Sequence, residues 1–269
     1  MIIATESLSI ERIRQNLTAQ IVGRQLYLFG EVSSTNSMLA RLARGGAREG
    51  TVVVAEGQTA GRGRLGKAWF SPAGVNLYAS TLFRPPLVPS EVTVFSFIAS
   101  LALFDAIQEE GAKPAIKWPN DVLVSRKKVA GVLAEAGSSG EQVSYVILGV
   151  GVNLNIEGAA LTAALGDGGL AATSLCEVVG REIDRSVFTG RFLTLLDEWF
   201  QIYSSRGARV ILQAWRDREI TTGRRVEVRE EPERFDGRVL GVNGGGHLVV
   251  QDAHKRLRRV VSGEIRFLD

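Results

Sequence analysis

Gly61, Gly63 and Gly66 are interleaved with Arg62, Arg64 and Lys67 in residues 58–69, and Trp69 closes the run. Glycine lets a main chain turn successive N–H groups toward an anion, and the cations add positive charge to the same loop. Such a stretch suits a substrate that carries phosphate or carboxylate. A solvated basic surface loop is the competing reading, because charge runs usually face water. We expect neither a dinucleotide turn nor a Walker loop here; for the latter, no Gly-Lys-Ser/Thr follows.

Three other stretches carry polar groups where a strand would end or a helix begin. Ser34, Thr35 and Asn36 form the first. They could cap a helix or touch a ligand, and the local signals favour capping. Lys117, Asn120 and Asp121, with Lys128 shortly after, form the second, and Gly149, Gly151 and Asn153 the third. Alternating glycines in a strand mark close approach, by a ligand or by a packed neighbour. Cations dominate the set, and Asp121 is its most plausible acid. A pocket built from these groups should hold anions.

The elements that must position them follow from periodicity. Residues 7–20 read as a short helix capped by Ser7, 25–32 as a strand, and 37–44 as a helix ended by Gly45 and Gly46. Residues 51–56 form a β-branched strand feeding the glycine–arginine loop, and 75–83 the next strand. Residues 92–110 are apolar nearly all round, so they predict a helix buried against a sheet. Three strands joined by tight turns follow, over 115–118, 122–125 and 128–136, the second turn being Ser125-Arg126-Lys127. Residues 143–152 are a central strand. We expect a small-residue loop over 158–169, then helices over 171–179, 184–206 and 209–218. From residue 222 the texture changes to short alternating strands, 225–229, 235–242, 247–251 and 257–261. This small β-barrel is too small to hold much core alone and should dock on the larger domain. The fold class is therefore α+β, with a mixed or antiparallel sheet and packed helices.

Composition narrows the chemistry. At 269 residues the chain can bury a sizeable core, and 45% apolar with 23% charged residues is ordinary for a globular protein. The formal charge of +3 argues little for nucleic acid. Cys176 is the one cysteine, and His247 and His254 are the two histidines. Disulfides, thiolate metal clusters and a Ser-His-Asp triad are poorly supplied. The N-terminus lacks the layout of a signal peptide. The longest apolar run, 92–107, is interrupted by Ser96, Ser100 and Asp105 and reads as too short to span a bilayer. A cytoplasmic protein without membrane or nucleic-acid partners is expected.

The ordered set of motifs resembles the biotin–protein ligases, which biotinylate acyl-CoA carboxylases. The matching residues are Ser34-Thr35-Asn36, Gly61 through Gly66, Lys117-Trp118-Pro119-Asn120-Asp121, Lys128-Val129-Ala130-Gly131 and Gly149 through Asn153. Any one is weak, and the five in order are specific. The resemblance implies a class II synthetase-like ligase core over residues 1–220 and an SH3-like barrel over 221–269. It implies biotin and ATP as substrates, Mg²⁺ with the triphosphate, no dedicated protein metal site, and transfer to a lysine of a biotin carboxyl carrier protein or domain. It places biotin against Ser34, Thr35, Asn36, Gln58, Arg62, Gly63, Arg64, Lys128 and Gly131. It places ATP or the adenylate against Arg62, Arg64, Lys67, Trp69, Lys117, Asn120 and Asn153. Lys128, Arg64 and Asp121 would carry catalysis. Lys128 would sit on the carboxylate and α-phosphate, and Asp121 would orient or deprotonate the incoming lysine unless it simply pairs with Lys117. Trp69 would cover the adenine or close the loop over it.

Two rivals share the resemblance. A lipoate ligase or octanoyl transferase fits the same fold, but thioester transfer needs a pocket cysteine and Cys176 lies outside every motif. A biotin-responsive repressor would need a helix-turn-helix module of roughly 60 residues, and about 25 precede the first strand. A homodimer through an exposed sheet edge is compatible with the pattern.

Overall fold

The computed structural model describes residues 6–139, 142–166 and 171–269. Seven strands form its main sheet: β1 (Leu26–Val32), β2 (Val52–Gln58), β3 (Leu77–Phe83), β4 (Pro114–Lys117), β5 (Asp121–Val124), β6 (Lys127–Ser139) and β7 (Gln142–Val152). Their order is β1-β2-β3-β7-β6-β5-β4. β1 and β2 run parallel, and every other pair is antiparallel. The sheet is thus mixed, as expected.

Period-two alternation sends neighbouring side chains to opposite faces, and both faces are apolar. Val53 of β2 and Leu82 of β3 meet Leu39 and Ala43 of α2 (Thr35–Arg44). Val52, Val54, Ala79 and Phe83 face the other way, into the larger core that also holds α3 (Thr93–Glu109). There the Phe83 ring lies 5.2 Å from that of Phe95 and 4.5 Å from that of Phe200. Phe200 belongs to the long helix Arg185–Arg206, which covers α3. The run Pro89–Glu109 has 21 residues and is long and apolar enough to cross a membrane. The expectation that it is too short fails on length. Its Phe95, Ile98, Leu101 and Ile107 are nevertheless fully enclosed by protein, so it is the core helix its all-round apolar pattern predicted.

Several boundaries differ from the sequence reading. The first helix, α1 (Ile10–Gln15), is shorter and is capped by Ser9, whose hydroxyl accepts from the Arg12 N–H, rather than by Ser7. Helix α2 starts two residues early. Gly158–Leu165 is a helix, α4, where a loop was expected; its alanines and leucines outweigh the single glycine at its first turn. The rest of that expected loop, 167–169, lies outside the described residues. Of the helix expected over 171–179, only Leu175–Val179 forms, as α5. The long helix is α6, and α7 (Ala208–Arg216) follows.

The second sheet has the order β11-β10-β9-β8-β12, all antiparallel. Its strands are β8 (Arg225–Glu230), β9 (Glu233–Val242), β10 (Leu248–Asp252), β11 (Leu257–Val260) and β12 (Glu264–Phe267). The sequence reading missed β12, whose Glu-Ile-Arg-Phe alternates but runs for only four residues. This sheet packs on the first. Trp118 Nε1 donates to the Gly246 carbonyl at 3.0 Å, and the Trp118 N–H donates to Thr221 Oγ1 at 3.1 Å. Phe97 of α3 stacks on Trp215 with centroids 4.6 Å apart.

Candidate active site

Two adjoining cavities open where β2, β5, β6 and β7 end and the glycine–arginine loop folds over them. The first, about 320 Å³, is lined by every residue expected to hold biotin or the nucleotide or to carry catalysis, except Asn153. The second, about 400 Å³, takes Asn153 together with Phe70, Leu161, Leu165 and Phe267. Lys67, Trp69, Lys117, Asp121 and Lys128 line both and form the wall between them.

The loop itself is a small hairpin. Trp69 N donates to the Gly61 carbonyl at 2.9 Å and Gly63 N to the Lys67 carbonyl at 2.7 Å. A tight turn over Arg64–Gly66 reverses the chain, with Leu65 at φ 54° and Gly66 at φ 74°. Gly61 is required because a Cβ there would stand 2.4 Å from Ser71 Oγ. The glycines do stand at G-x-G-x-x-G spacing. The context still excludes a dinucleotide turn, since a three-residue turn follows in place of the phosphate-binding helix.

Each loop cation has a partner. Arg62 donates to Glu135 Oε2 at 2.8 Å, and Lys67 Nζ lies 2.5 Å from Glu264. Arg64 reaches Asn120 Oδ1 at 3.4 Å and Ser262 Oγ at 3.2 Å. Burial pushes the Arg64 guanidinium below its ordinary range, with Asp121 and Glu264 opposing the shift.

Lys128 Nζ pairs with Asp121 at 2.5 Å and stands 5.2 Å from the centre of the Trp69 ring. Asp121 therefore pairs with Lys128 and not with Lys117. Lys117 lies over the Phe267 ring instead, 5.3 Å from its centre. Burial lowers the Lys117 pKa, and the positive charges of Lys128 and Lys67 lower it further against Asp121 and Glu264. A buried lysine whose charged form is disfavoured by neighbouring cations marks a place where an anion is stabilised.

The polar cluster at α2 is not a cap. Ser34 occupies the N-cap position with no side-chain cap bond, so the capping preference drawn from local signals is overturned. The neighbouring side chains bond across the sheet floor. Gln58 Oε1 accepts from Thr35 N at 2.9 Å. Ser80 Oγ donates to Asn36 Oδ1 at 2.6 Å, and Asn36 Nδ2 donates to Glu135 Oε2 at 2.7 Å. Ser80 and Glu135 had no local signal, since only strand pairing brings them here. The alternating glycines admit side chains of this chain. A Cβ on Gly149 would stand 2.1 Å from Asn36 Oδ1, and one on Gly151 would stand 2.4 Å from the Trp69 indole. Asn153 is held by its own fold, its amide donating to the Thr173 carbonyl at 3.0 Å. The buried Trp69 Nε1 has no acceptor.

Such a site can bind two anionic substrates side by side and screen their repulsion. Known proteins agree with that geometry. Residues 28–153 match the family model described as the biotin/lipoate A/B protein ligase family. The bifunctional ligase/repressor BirA of Bacillus subtilis is 31% identical over 259 residues, covering 96% of this chain and 78% of that protein. The biotin–[acetyl-CoA-carboxylase] ligase of Paracoccus denitrificans is 33% identical over 227 residues, covering 83% and 93%. Among solved structures, a biotin protein ligase from Aquifex aeolicus in complex with biotin and ATP superposes with a TM-score of 0.72 at 28% identity, covering 91% of this chain and 98% of that one. The chain is an enzyme and belongs to the biotin/lipoate A/B protein ligase family, where these relatives are biotin–protein ligases.

Proposed function

We propose that this protein activates biotin with ATP as biotinyl-5′-adenylate and transfers the biotinyl group to a lysine of a biotin carboxyl carrier protein or domain. The single observation that carries this reading is the shared wall, where Lys128, Lys117 and Lys67 line both cavities. Biotin's carboxylate must approach the α-phosphate of ATP. At about 4 Å and an effective dielectric near 20, two unit negative charges repel by roughly 4 kcal/mol. Lys128 is placed to offset that, and no protein nucleophile is needed. Catalysis rests on positioning and preorganised charge.

Biotin takes the first cavity, against Ser34, Thr35, Asn36, Gln58, the Arg62–Arg64 main chain and Gly131. The nucleotide takes the second, where Trp69 and the apolar side chains of Phe70 and Leu161 suit a flat base. Asp121, which pairs with Lys128, is released when anions claim the lysine, and can then orient the carrier amine. Asn153 borders the nucleotide in the second cavity, while Asn120 lines the first and meets the substrates from the biotin side of the wall. Mg²⁺ enters with the triphosphate, on phosphate oxygens and water, which suits its reluctance to dehydrate. Residues 1–220 form the ligase domain and 221–269 the β-module. The setting is the cytoplasm, where ATP is available.

Incubation with radiolabelled biotin, ATP, Mg²⁺ and a carboxylase biotin domain tests the reading. Protein-bound label that depends on ATP and on the carrier lysine is expected. Label on lipoyl domains from labelled octanoate, with none from biotin, would replace it with the lipoate branch.

A further inference from the structure

The second cavity holds more positive charge than the meeting of carboxylate and α-phosphate requires. Lys67, Lys117, Arg126 and Lys128 line it, against the carboxylate of Asp121. Lys128 and Lys67 each have an acid partner at 2.5 Å, and Lys117 rests on the Phe267 ring. Arg126 is the cation that lines the second cavity and not the first. It therefore stands on the nucleotide side of the shared wall, away from biotin.

Its position in the chain points the same way. Arg126 and Ser125 make the turn between β5 and β6 with φ of 66° and 51°. Two consecutive left-handed residues are where glycine or asparagine serves best, yet an arginine is placed there. Its guanidinium donates to the main-chain oxygen of Asp269 at 2.8 Å, which fixes the side chain at the rim of that cavity. A planar guanidinium presents a fork of donors that matches phosphate oxygens.

We propose that Arg126 binds the β- and γ-phosphates of ATP and holds the pyrophosphate as it leaves. The inference rests on the biotin-adenylation reading above. In that step a carboxylate oxygen of biotin bonds to the α-phosphorus. The bond from the α-phosphorus to the bridging oxygen breaks, and its electron pair leaves with pyrophosphate. Attack and departure lie roughly in line. With biotin entering from the first cavity, the leaving group moves into the second, toward the side that Arg126 lines. Arg126 touches neither the carboxylate nor the carrier amine.

The test compares wild type with Arg126→Ala and Arg126→Lys in the two half-reactions separately. Biotin-dependent ATP–pyrophosphate exchange reads the first, and transfer from presynthesised biotinyl-5′-adenylate to a carrier domain reads the second. Arg126→Ala should raise KM for ATP and for pyrophosphate by about tenfold or more. It should leave KM for biotin and the transfer rate within about twofold, and Arg126→Lys should recover part of the loss. Unchanged KM for ATP and pyrophosphate in Arg126→Ala would overturn the assignment. So would a parallel fall in both half-reactions, which is what loss of the Asp269 tether alone would produce. A wild-type protein that performs no exchange at all would strike the underlying adenylation reading instead.

Discussion

Lys117 of β4 and Lys128 of β6 share one wall, and their surroundings give them different tasks. Lys128 has Asp121 at 2.5 Å and the Trp69 face beside it, so an arriving carboxylate competes with Asp121 for a cation already in place. Lys128→Ala should abolish biotin-dependent pyrophosphate exchange while the circular dichroism spectrum stays that of wild type. Normal exchange in that variant would remove its role. Lys117 is held down by burial first and by its cationic neighbours second. A base whose pKa is lowered by folding binds fewer protons folded than unfolded between the lowered value and its ordinary 10.5. Stability then rises with pH through that window. The cost of the buried charge is present in full below the lowered value and is relieved on the way up to 10.5. Lys117→Met should therefore be more stable than wild type in urea at pH 7, with the gap closing as the pH climbs. At this scale most of the site was legible, because residue types name their chemistry. The pairing was not. Whether Asp121 would meet Lys117 or Lys128 depends on the β5–β6 register, where a bulge between Val122 and Leu123 sets Leu123 opposite Lys128.

Strands and helices were read well wherever apolar content was dense, as in β2, β3, β7 and α3. The misses were short or compositionally quiet: the four residues of β12 and the alanine-rich α4. Long-range partners also escaped, since Ser80 and Glu135 reach Asn36 only across the assembled sheet. The second sheet shows how such a partner can hold an element together. Glu227 of β8 is buried, which alone would raise its pKa, yet Arg234, Arg229 and Arg266 bond to it and bring it down to about 2. An acid with a lowered folded pKa contributes stability that is complete above its ordinary 4.5 and is lost as the pH falls through about 2. Glu227→Gln should destabilise the protein at pH 7. Its deficit relative to wild type should shrink between pH 4.5 and 2, measured by thermal melts across that range. A deficit independent of pH would mean that packing and not charge accounts for it.

Across the whole molecule, the second sheet reaches the active site through the loop. Lys67 pairs with Glu264, and Arg64 bonds to Ser262. The same sheet is anchored to the core by Trp118, whose indole donates to Gly246. Composition indicated that such a module must dock, but where it docks is a tertiary matter that no local pattern encodes. Trp118→Phe removes a buried donor and leaves the Gly246 carbonyl without it, a cost of about 1–3 kcal/mol. We expect that loss in urea melts together with a raised KM for ATP, because the loop loses its backing; an unchanged KM would separate the anchor from the site. The central claim is that one wall, with Lys128 at its middle, brings a biotin carboxylate and a nucleotide phosphate together. A crystal structure with biotin and a non-hydrolysable ATP analogue tests it most directly. The account predicts both the carboxylate and the α-phosphate within about 4 Å of Lys128 Nζ, biotin in the first cavity and the nucleotide in the second. Either ligand bound away from Lys128 and Arg64 would contradict it.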